Sequence, residues 1–196
     1  MSLWLFLTFN VFLYLLIFYP EFASLFGTDF KGLLSFRTTG IVIAPIVLFM
    51  VNGFLTSDQK AFLVYWRRRD TLPGHRAFTK YAIKDPRVDL ERLEQLHGAL
   101  PTGPKTQNKL WYKIYRSNKE EIIVRNSHKA FLLARDLCAQ AFLFLVFSIV
   151  ILFFSTVTHR WIYCLLAFAE FLLMLRLAQN NGRRFVRNVL AIESTK

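Results

Sequence analysis

Glu170 lies in the middle of an apolar run, YCLLAFAEFLLMLRLAQ. An ionised carboxylate at the centre of a bilayer costs at least about 2.5 kcal/mol, so Glu170 is expected to be neutral, hydrogen-bonded or facing water. Asn10 lies at a similar depth in the first apolar run of the chain. Two roles fit the pair: a hydrogen bond that joins two helices, or a carboxylate that lines a path for ions. The hydrogen bond is favoured, because one Glu and one Asn make a thin lining for a pore.

A second set of polar residues is predicted closer to the cytoplasmic ends of the apolar runs. Its members are Asn52, Gln140 and Arg176. Arg176 is expected to extend its long side chain to the headgroup layer, because a charge is less costly there than in the hydrocarbon. With Glu170 and Asn10, these residues complete the predicted intramembrane polar set.

Two short basic clusters follow apolar runs and are expected to contact anionic lipid headgroups or an acidic partner. They contain Arg67, Arg68 and Arg69 in the first cluster and Arg183, Arg184 and Arg187 in the second. A third basic stretch, KLWYKIYRSNK, offers a candidate surface for a ligand or a nucleic acid through Lys109, Lys113, Arg116 and Lys119. Nucleic-acid binding is the less favoured interpretation, because the rings of this stretch also fall on the core stripe of an amphipathic helix.

Motifs for catalysis, metals or cofactors are not found in the sequence. The histidines at positions 75, 97, 128 and 159 fall in separate segments, and Cys138 and Cys164 both lie in apolar runs. Local spacing therefore gives no support for a metal site. The stretch GALPTGPKT imitates a phosphate-binding loop, but Pro104 has no N–H to offer a phosphate. The chain is expected to be no enzyme and to need no cofactor or metal.

The polar residues above are positioned by four apolar runs in a chain that is 54% hydrophobic and 16% aromatic. Roughly 20 apolar residues cross a hydrocarbon core of about 30 Å. The predicted spans cover about residues 3–19, 40–56, 137–157 and 161–178. The fold class is thus an all-α membrane protein, with four transmembrane helices as two hairpins that flank a basic cytoplasmic helical domain. The predicted parts are the hairpins 1–56 and 137–178, the domain 57–136 and a basic cytoplasmic tail, 179–196.

Charge sets the predicted orientation. Residues 57–136 hold 17 basic and 9 acidic residues, and so contribute +8 of the net charge of +12. Because cytoplasmic segments near spans are rich in Lys and Arg, this domain and both termini are placed in the cytoplasm and the protein in the inner (plasma) membrane. The linker at residues 20–39 carries no net charge and is placed outside.

Within the domain, helical periodicity and capping residues predict four helical stretches. Thr56 and Gln59 have the spacing of a capping box and begin a helix expected to continue through Arg69. A short helix within DPRVDLERLEQLHG is expected to end at Gly98, and another begins near residue 105. Asn118 is expected to cap a last helix that runs into the third span without a break.

These features predict a non-enzymatic membrane component of a larger assembly, which binds a cytosolic partner or ligand through its basic helical domain and responds at the membrane. A domain of about 80 residues has a marginal core, so it is expected to rely on anionic lipids, a second copy of the chain in a homo-oligomer, or a cytosolic protein partner. The alternative is a small oligomeric channel or membrane-permeabilising effector gated by the domain, with Glu170 near the conduction path. The layout is similar to that of membrane subunits of some bacterial anti-phage systems, which implies a role in antiviral defence.

Overall fold

The structure is a computed structural model that describes residues 3–18, 47–154 and 160–196, and the described residues form helices and no strand. The helices are α1 (Leu3–Phe18), α2 (residues 47–54), α3 (Ser57–Tyr65), α4 (Leu90–His97), α5 (Pro104–Ser117), α6 (Ile122–Phe154) and α7 (Arg160–Glu193). Between α3 and α4, a 3-10 helix covers Pro73–Arg76 and a π-helix covers Ala77–Ala82. The predicted all-helical class is confirmed.

Among the described residues, two helices are long and apolar enough to cross a membrane. They are Ile122–Phe153, with 32 residues, and Arg160–Glu193, with 34, whereas the apolar helix Leu3–Ile17 is shorter. Of the predicted second span, only residues from 47 onward are described, and the linker at 20–39 and the turn at 155–159 lie outside the described residues. The four spans and the hairpin arrangement therefore stay predictions.

The chain divides into two compact units. The first unit contains Met1–Lys60 and Asp136–Leu175. Aromatic rings hold its helices together: Tyr14 contacts Phe147 at 6.0 Å and Tyr163 at 5.4 Å between ring centroids. Its described helices are apolar on their outer faces as well, as expected for segments surrounded by lipid.

The second unit contains Ala61–Arg135 and Arg176–Lys196, and its core draws on both segments. Phe185 is the centre of this core, with its ring against Trp111 at 5.3 Å and His128 at 4.9 Å between centroids. Val189 and Leu190, one turn further along α7, are fully buried. Residues predicted as a basic tail are thus the end of α7, and they supply a large part of the core of the basic domain.

Local residues explain where several helices begin and end. The predicted capping box is present, with hydrogen bonds from Thr56 N to Gln59 Oε1 (2.8 Å) and from Gln59 N to Thr56 Oγ1 (3.3 Å). The prediction that this helix continues through Arg69 is wrong, because Trp66 has φ 53° and this left-handed backbone ends α3 at Tyr65. Arg67, Arg68 and Arg69, which follow Trp66, therefore lie outside α3.

Two further ends involve single residues. Gly98 ends α4 with φ 76°, as predicted, since glycine has no side chain to oppose that conformation. Asn118 was predicted to cap the helix that follows it, and this prediction is wrong. It ends α5 instead, where its Nδ2 donates to the carbonyl of Ile114 (2.9 Å) and to Glu193 Oε2 (2.7 Å).

Candidate functional site: a basic cavity and two polar sets

The two residues that the sequence placed at similar membrane depth are in direct contact in the first unit. Asn10 Nδ2 donates to Glu170 Oε1 at 3.0 Å and also to the carbonyl of Phe6 at 3.1 Å. The Asn10 side chain is buried, and Glu170 is half-buried. A hydrogen bond between side chains from two helices is the geometry expected of a joint between them.

The second polar set is not brought together into one hydrogen-bonded cluster. Asn52 Nδ2 donates to the carbonyl of Asp136 at 3.4 Å, while its Oδ1 has no partner among the described residues. Gln140 is completely buried, and neither its Nε2 nor its Oε1 has a partner in the described part of the chain. Arg176 belongs to the second unit and is exposed.

The first unit contains an ion pair that the sequence did not indicate. Lys60 Nζ lies 3.2 Å from Asp136 Oδ1, and Lys60 is buried. Both residues fall in the predicted cytoplasmic domain, residues 57–136. Nothing in their sequence spacing indicated the contact, since 76 positions separate them.

The clearest concentration of charge lies in the second unit, around a cavity of about 330 Å³. Its walls consist of five basic residues, two tyrosines and one glutamine: Arg67, Lys80, Lys84, Arg183, Arg187, Tyr65, Tyr81 and Gln179. Three of the six arginines predicted to contact anions line this cavity. Of the others, Arg68 and Arg69 are exposed, and Arg184 lines a second cavity of similar volume with Asn126 and Asn181.

Three segments of the chain position these cations. The left-handed turn at Trp66 directs the chain out of α3 just before Arg67. Lys80 lies in the π-helix, and Lys84 follows one turn later. On α7, residues 179, 183 and 187 are spaced four apart and therefore share one face of the helix. The four-residue spacing of Lys80 and Lys84 was the sequence signal that could have revealed them.

Hydrogen bonds fix part of the cavity wall. Gln179 Nε2 donates to the carbonyl of Val64 at 2.9 Å, and Gln179 Oε1 accepts a 3.4 Å bond from Arg183 Nη2. Two buried polar atoms, the Tyr65 hydroxyl and Arg187 Nε, have no hydrogen-bond partner among the described residues. Burial raises the pKa of the Tyr65 phenol, so the hydroxyl keeps its proton and can donate a hydrogen bond.

Asp85 is a carboxylate that interacts with Arg187 of this site, and Arg87 already binds it. Arg87 Nε and Nη2 donate to Asp85 Oδ1 at 3.0 Å and Oδ2 at 2.8 Å. These hydrogen bonds hold the pKa of Asp85 below its usual range in spite of burial, and Arg187 adds an attraction through space. Arg87 Nη2 also donates to Asn188 Oδ1 at 3.2 Å, and this bond connects the segment before α4 to α7.

The third predicted basic surface lies on the outer face of α5. Lys109, Lys113 and Arg116 line an open depression of about 380 Å³ with Tyr112. Lys119 lies beyond the end of α5, 3.7 Å from the carboxylate of Glu120, and both side chains are exposed.

The rings considered for base stacking mostly face inward. Trp111 is buried and packs on Tyr115 with 5.8 Å between centroids, and the Tyr115 hydroxyl lies 3.2 Å from His128 Nδ1. Tyr112 is the exposed ring of this stretch. The packing therefore supports the preferred interpretation, in which the apolar stripe of α5 belongs to the core.

Among residues 3–18, 47–154 and 160–196, no group of three or more His, Cys, Asp or Glu side chains could hold a metal ion. The basic cavity and the depression on α5 provide hydrogen-bond donors and positive charge, which are suited to binding anions. In comparisons with known proteins, no protein-family model, no curated protein and no solved structure matches the chain.

Proposed function

We propose that the protein is a non-enzymatic integral membrane component of a larger assembly, and that its basic helical unit binds an anionic partner on the cytoplasmic side. The observation that carries this proposal is the division of α6 and α7. Each contributes an apolar stretch to the first unit and a polar stretch to the second. A basic unit built on the continuation of two apolar helices is suited to convey a binding event to the membrane segments.

Charge supports the proposed class of partner. The cations of the cavity and of the outer face of α5 attract anionic headgroups, and the open depression on α5 has room for an acidic segment of a cytosolic protein. We propose that the protein acts as a homo-oligomer. The marginal size of the second unit favours association with further copies.

Membrane integration and orientation are tested by extraction and thiol labelling. The chain, with Cys138 and Cys164 replaced by alanine, is expected to stay in the membrane pellet after alkaline carbonate treatment. A thiol introduced by Lys113→Cys, at an exposed position, should react with an impermeant maleimide only after the inner face is opened. Labelling of Lys113→Cys in intact cells would overturn the orientation.

Gln107→Cys is the matched control on the same helix. Gln107 is buried, and its Oε1 accepts bonds from Phe78 N (3.1 Å) and Thr79 N (3.2 Å). A thiol there should stay unlabelled until the protein is denatured. Thr28→Cys and Thr158→Cys, at positions outside the described residues, should react in intact cells.

Partner binding is tested by a photo-crosslinking residue at Tyr112. A specific adduct that disappears in the double variant Lys109→Glu, Arg116→Glu would support an acidic cytosolic partner. An adduct that forms equally in the charge-reversed variant would contradict it.

Plaque counts with and without expression of the protein test the role in antiviral defence that the layout suggests.

A small oligomeric channel is the second candidate, and one observation favours it. Gln140 is fully buried in α6, and both of its polar atoms have no partner among the described residues. A buried amide in that state is costly unless an internal water bonds to it. Depolarisation of cells that express the protein, lost in a folded Gln140→Leu variant, would support the channel.

A further inference from the structure

The basic cavity of the second unit supports a more specific statement about the ligand. We propose that this cavity binds a phosphate group with two or more negative charges, as in a phosphomonoester or a diphosphate. Arg183, Arg187 and Lys80 would provide the main contacts. The inference rests on the proposed function, because it names the ligand class of the same basic unit.

Charge is the first argument. The cavity places five cations around about 330 Å³, and its other lining residues are uncharged. Within the described part of the chain, none of the five forms an ion pair within 4 Å. Asp85, which Arg187 attracts from a distance, is engaged by Arg87. Like charges in one enclosure repel each other, and a multiply charged anion relieves that repulsion.

Preorganisation is the second argument. Gln179 is anchored to the Val64 carbonyl, and it accepts a hydrogen bond from the guanidinium of Arg183. The Arg183 side chain is therefore held at the wall of the cavity before a ligand arrives. A guanidinium that is already positioned loses less conformational entropy on binding and can offer two parallel N–H donors to phosphate oxygens.

Unused donors are the third argument. Arg187 Nε and the Tyr65 hydroxyl are buried and have no hydrogen-bond partner among the described residues. Tyr65 and Arg187 both line the cavity. Because buried donors are normally paired, an unpaired donor on a lining residue indicates a missing acceptor. A terminal phosphate provides three acceptor oxygens and thus satisfies more donors than a carboxylate does.

Size limits the ligand. Small-molecule pockets have volumes of about 300–1,000 Å³, and this cavity lies at the lower end of that range. It can accept a phosphate or diphosphate with a small organic group. A lipid headgroup and a free phosphorylated metabolite both provide this chemistry.

The test uses the whole 196-residue chain in a non-ionic detergent, with inorganic pyrophosphate as the soluble probe and calorimetry as the readout. The cavity variant is Lys80→Gln, Lys84→Gln, at two exposed positions where the change should leave the fold intact. The matched control is Lys109→Gln, Arg116→Gln, which removes the same charge from the exposed face of α5. Melting of each variant without ligand verifies that it is folded. The lipid arm compares melting in phosphatidylcholine nanodiscs that contain phosphatidic acid, a phosphomonoester, or phosphatidylglycerol, a phosphodiester.

We expect pyrophosphate binding to weaken at least about tenfold in the cavity variant and less than about twofold in the α5 variant. That result supports the site and a soluble source of the phosphate. If pyrophosphate does not bind, but phosphatidic acid raises the melting temperature more than phosphatidylglycerol and only the cavity variant loses the difference, the site is supported with a lipid source. Equal losses in both variants, or no response to either probe, would overturn the proposal.

These measurements do not depend on topology or on a protein partner. Failure of both probes in a protein that is retained in membranes and labelled as proposed would therefore refute the phosphate site alone. Binding of pyrophosphate by a protein that alkaline carbonate extracts would instead refute membrane integration and leave the site standing.

Discussion

The side-chain amide of Asn10 donates a 3.0 Å hydrogen bond to the carboxyl group of Glu170, across 160 positions of sequence. The bond gives the Glu170 carboxyl group a donor, and it gives the Asn10 amide a second acceptor beside the Phe6 carbonyl. Hydrogen bonds between membrane helices contribute about 0.6–2 kcal/mol. This contact accounts for a carboxyl group in an apolar run without requiring an ion path.

The first prediction concerns this contact. Glu170→Gln keeps an acceptor in place and should change the melting temperature little. Glu170→Leu should destabilise the protein by about 0.6–2 kcal/mol, because it leaves the Asn10 amide with one partner fewer. Adding Asn10→Leu should recover much of the loss, as a double-mutant cycle in detergent would show.

The same variants separate a joint between helices from a pore. If Glu170 lines a conduction path, expression of the native protein should depolarise the membrane, and the stable Glu170→Gln variant should not. That pair of results would refute the structural role. No depolarisation, together with recovery in the double variant, would refute the pore.

The second prediction concerns pH and the Asp85–Arg87 pair. The pKa of Asp85 is lowered in the folded protein, first by hydrogen bonds from Arg87. Its stabilising effect is therefore complete above the pKa of an unfolded Asp, about 3.9, and is lost as the pH falls below it. The difference in unfolding free energy between the native protein and Asp85→Asn should be about 1.5–3 kcal/mol at neutral pH. It should shrink as the pH falls below about 4, and a constant difference would contradict the assignment.

The third prediction concerns the core of the second unit. Leu93 is completely buried, whereas Leu96 on the same helix is 40% exposed. Leu93→Ala should cost about 2–5 kcal/mol, and Leu96→Ala well under half of that. Leu190→Ala should resemble Leu93→Ala, because Leu190 lies in the same core. If Leu190→Ala behaves like Leu96→Ala in thermal or chemical unfolding, the end of α7 is not part of the core.

The fourth prediction concerns Gly182 on α7. A Cβ atom at this position would collide with the Tyr65 hydroxyl and lie 3.0 Å from the Phe131 ring. Replacing Gly by Ala inside a helix normally stabilises it by about 1 kcal/mol, but here the collision should make Gly182→Ala destabilising. Tyr65→Phe removes the hydroxyl and should recover part of the loss. Gly53→Ala is the control, because no atom of the described residues outside its own helical segment lies within 4 Å of its added Cβ. A melting temperature that rises for Gly182→Ala would contradict the close approach.

Sequence alone determined the helical class and much of the local structure. The capping box of Thr56 and Gln59, the end of α4 at Gly98 and the long helix α6 follow from local hydrogen bonds and periodicity. The sequence also identified the cations and the polar residues of the apolar runs, because a charged or polar residue is easily recognised among apolar neighbours. The end of α3 could not be foreseen, since Trp66 is not a residue type that favours a left-handed backbone.

Only the tertiary structure decided which of these residues act together. Arg67 and Arg183 are more than a hundred positions apart, and sequence assigned them to the same chemical role but not to the same cavity. Sequence likewise described residues 179–196 as a tail, because a net positive charge obscured the buried face of Phe185 and Leu190. Helical periodicity shows that a face is apolar, but it does not specify the partner against which that face packs. That choice depends on shape and burial summed over the whole unit, and these are properties of the folded chain.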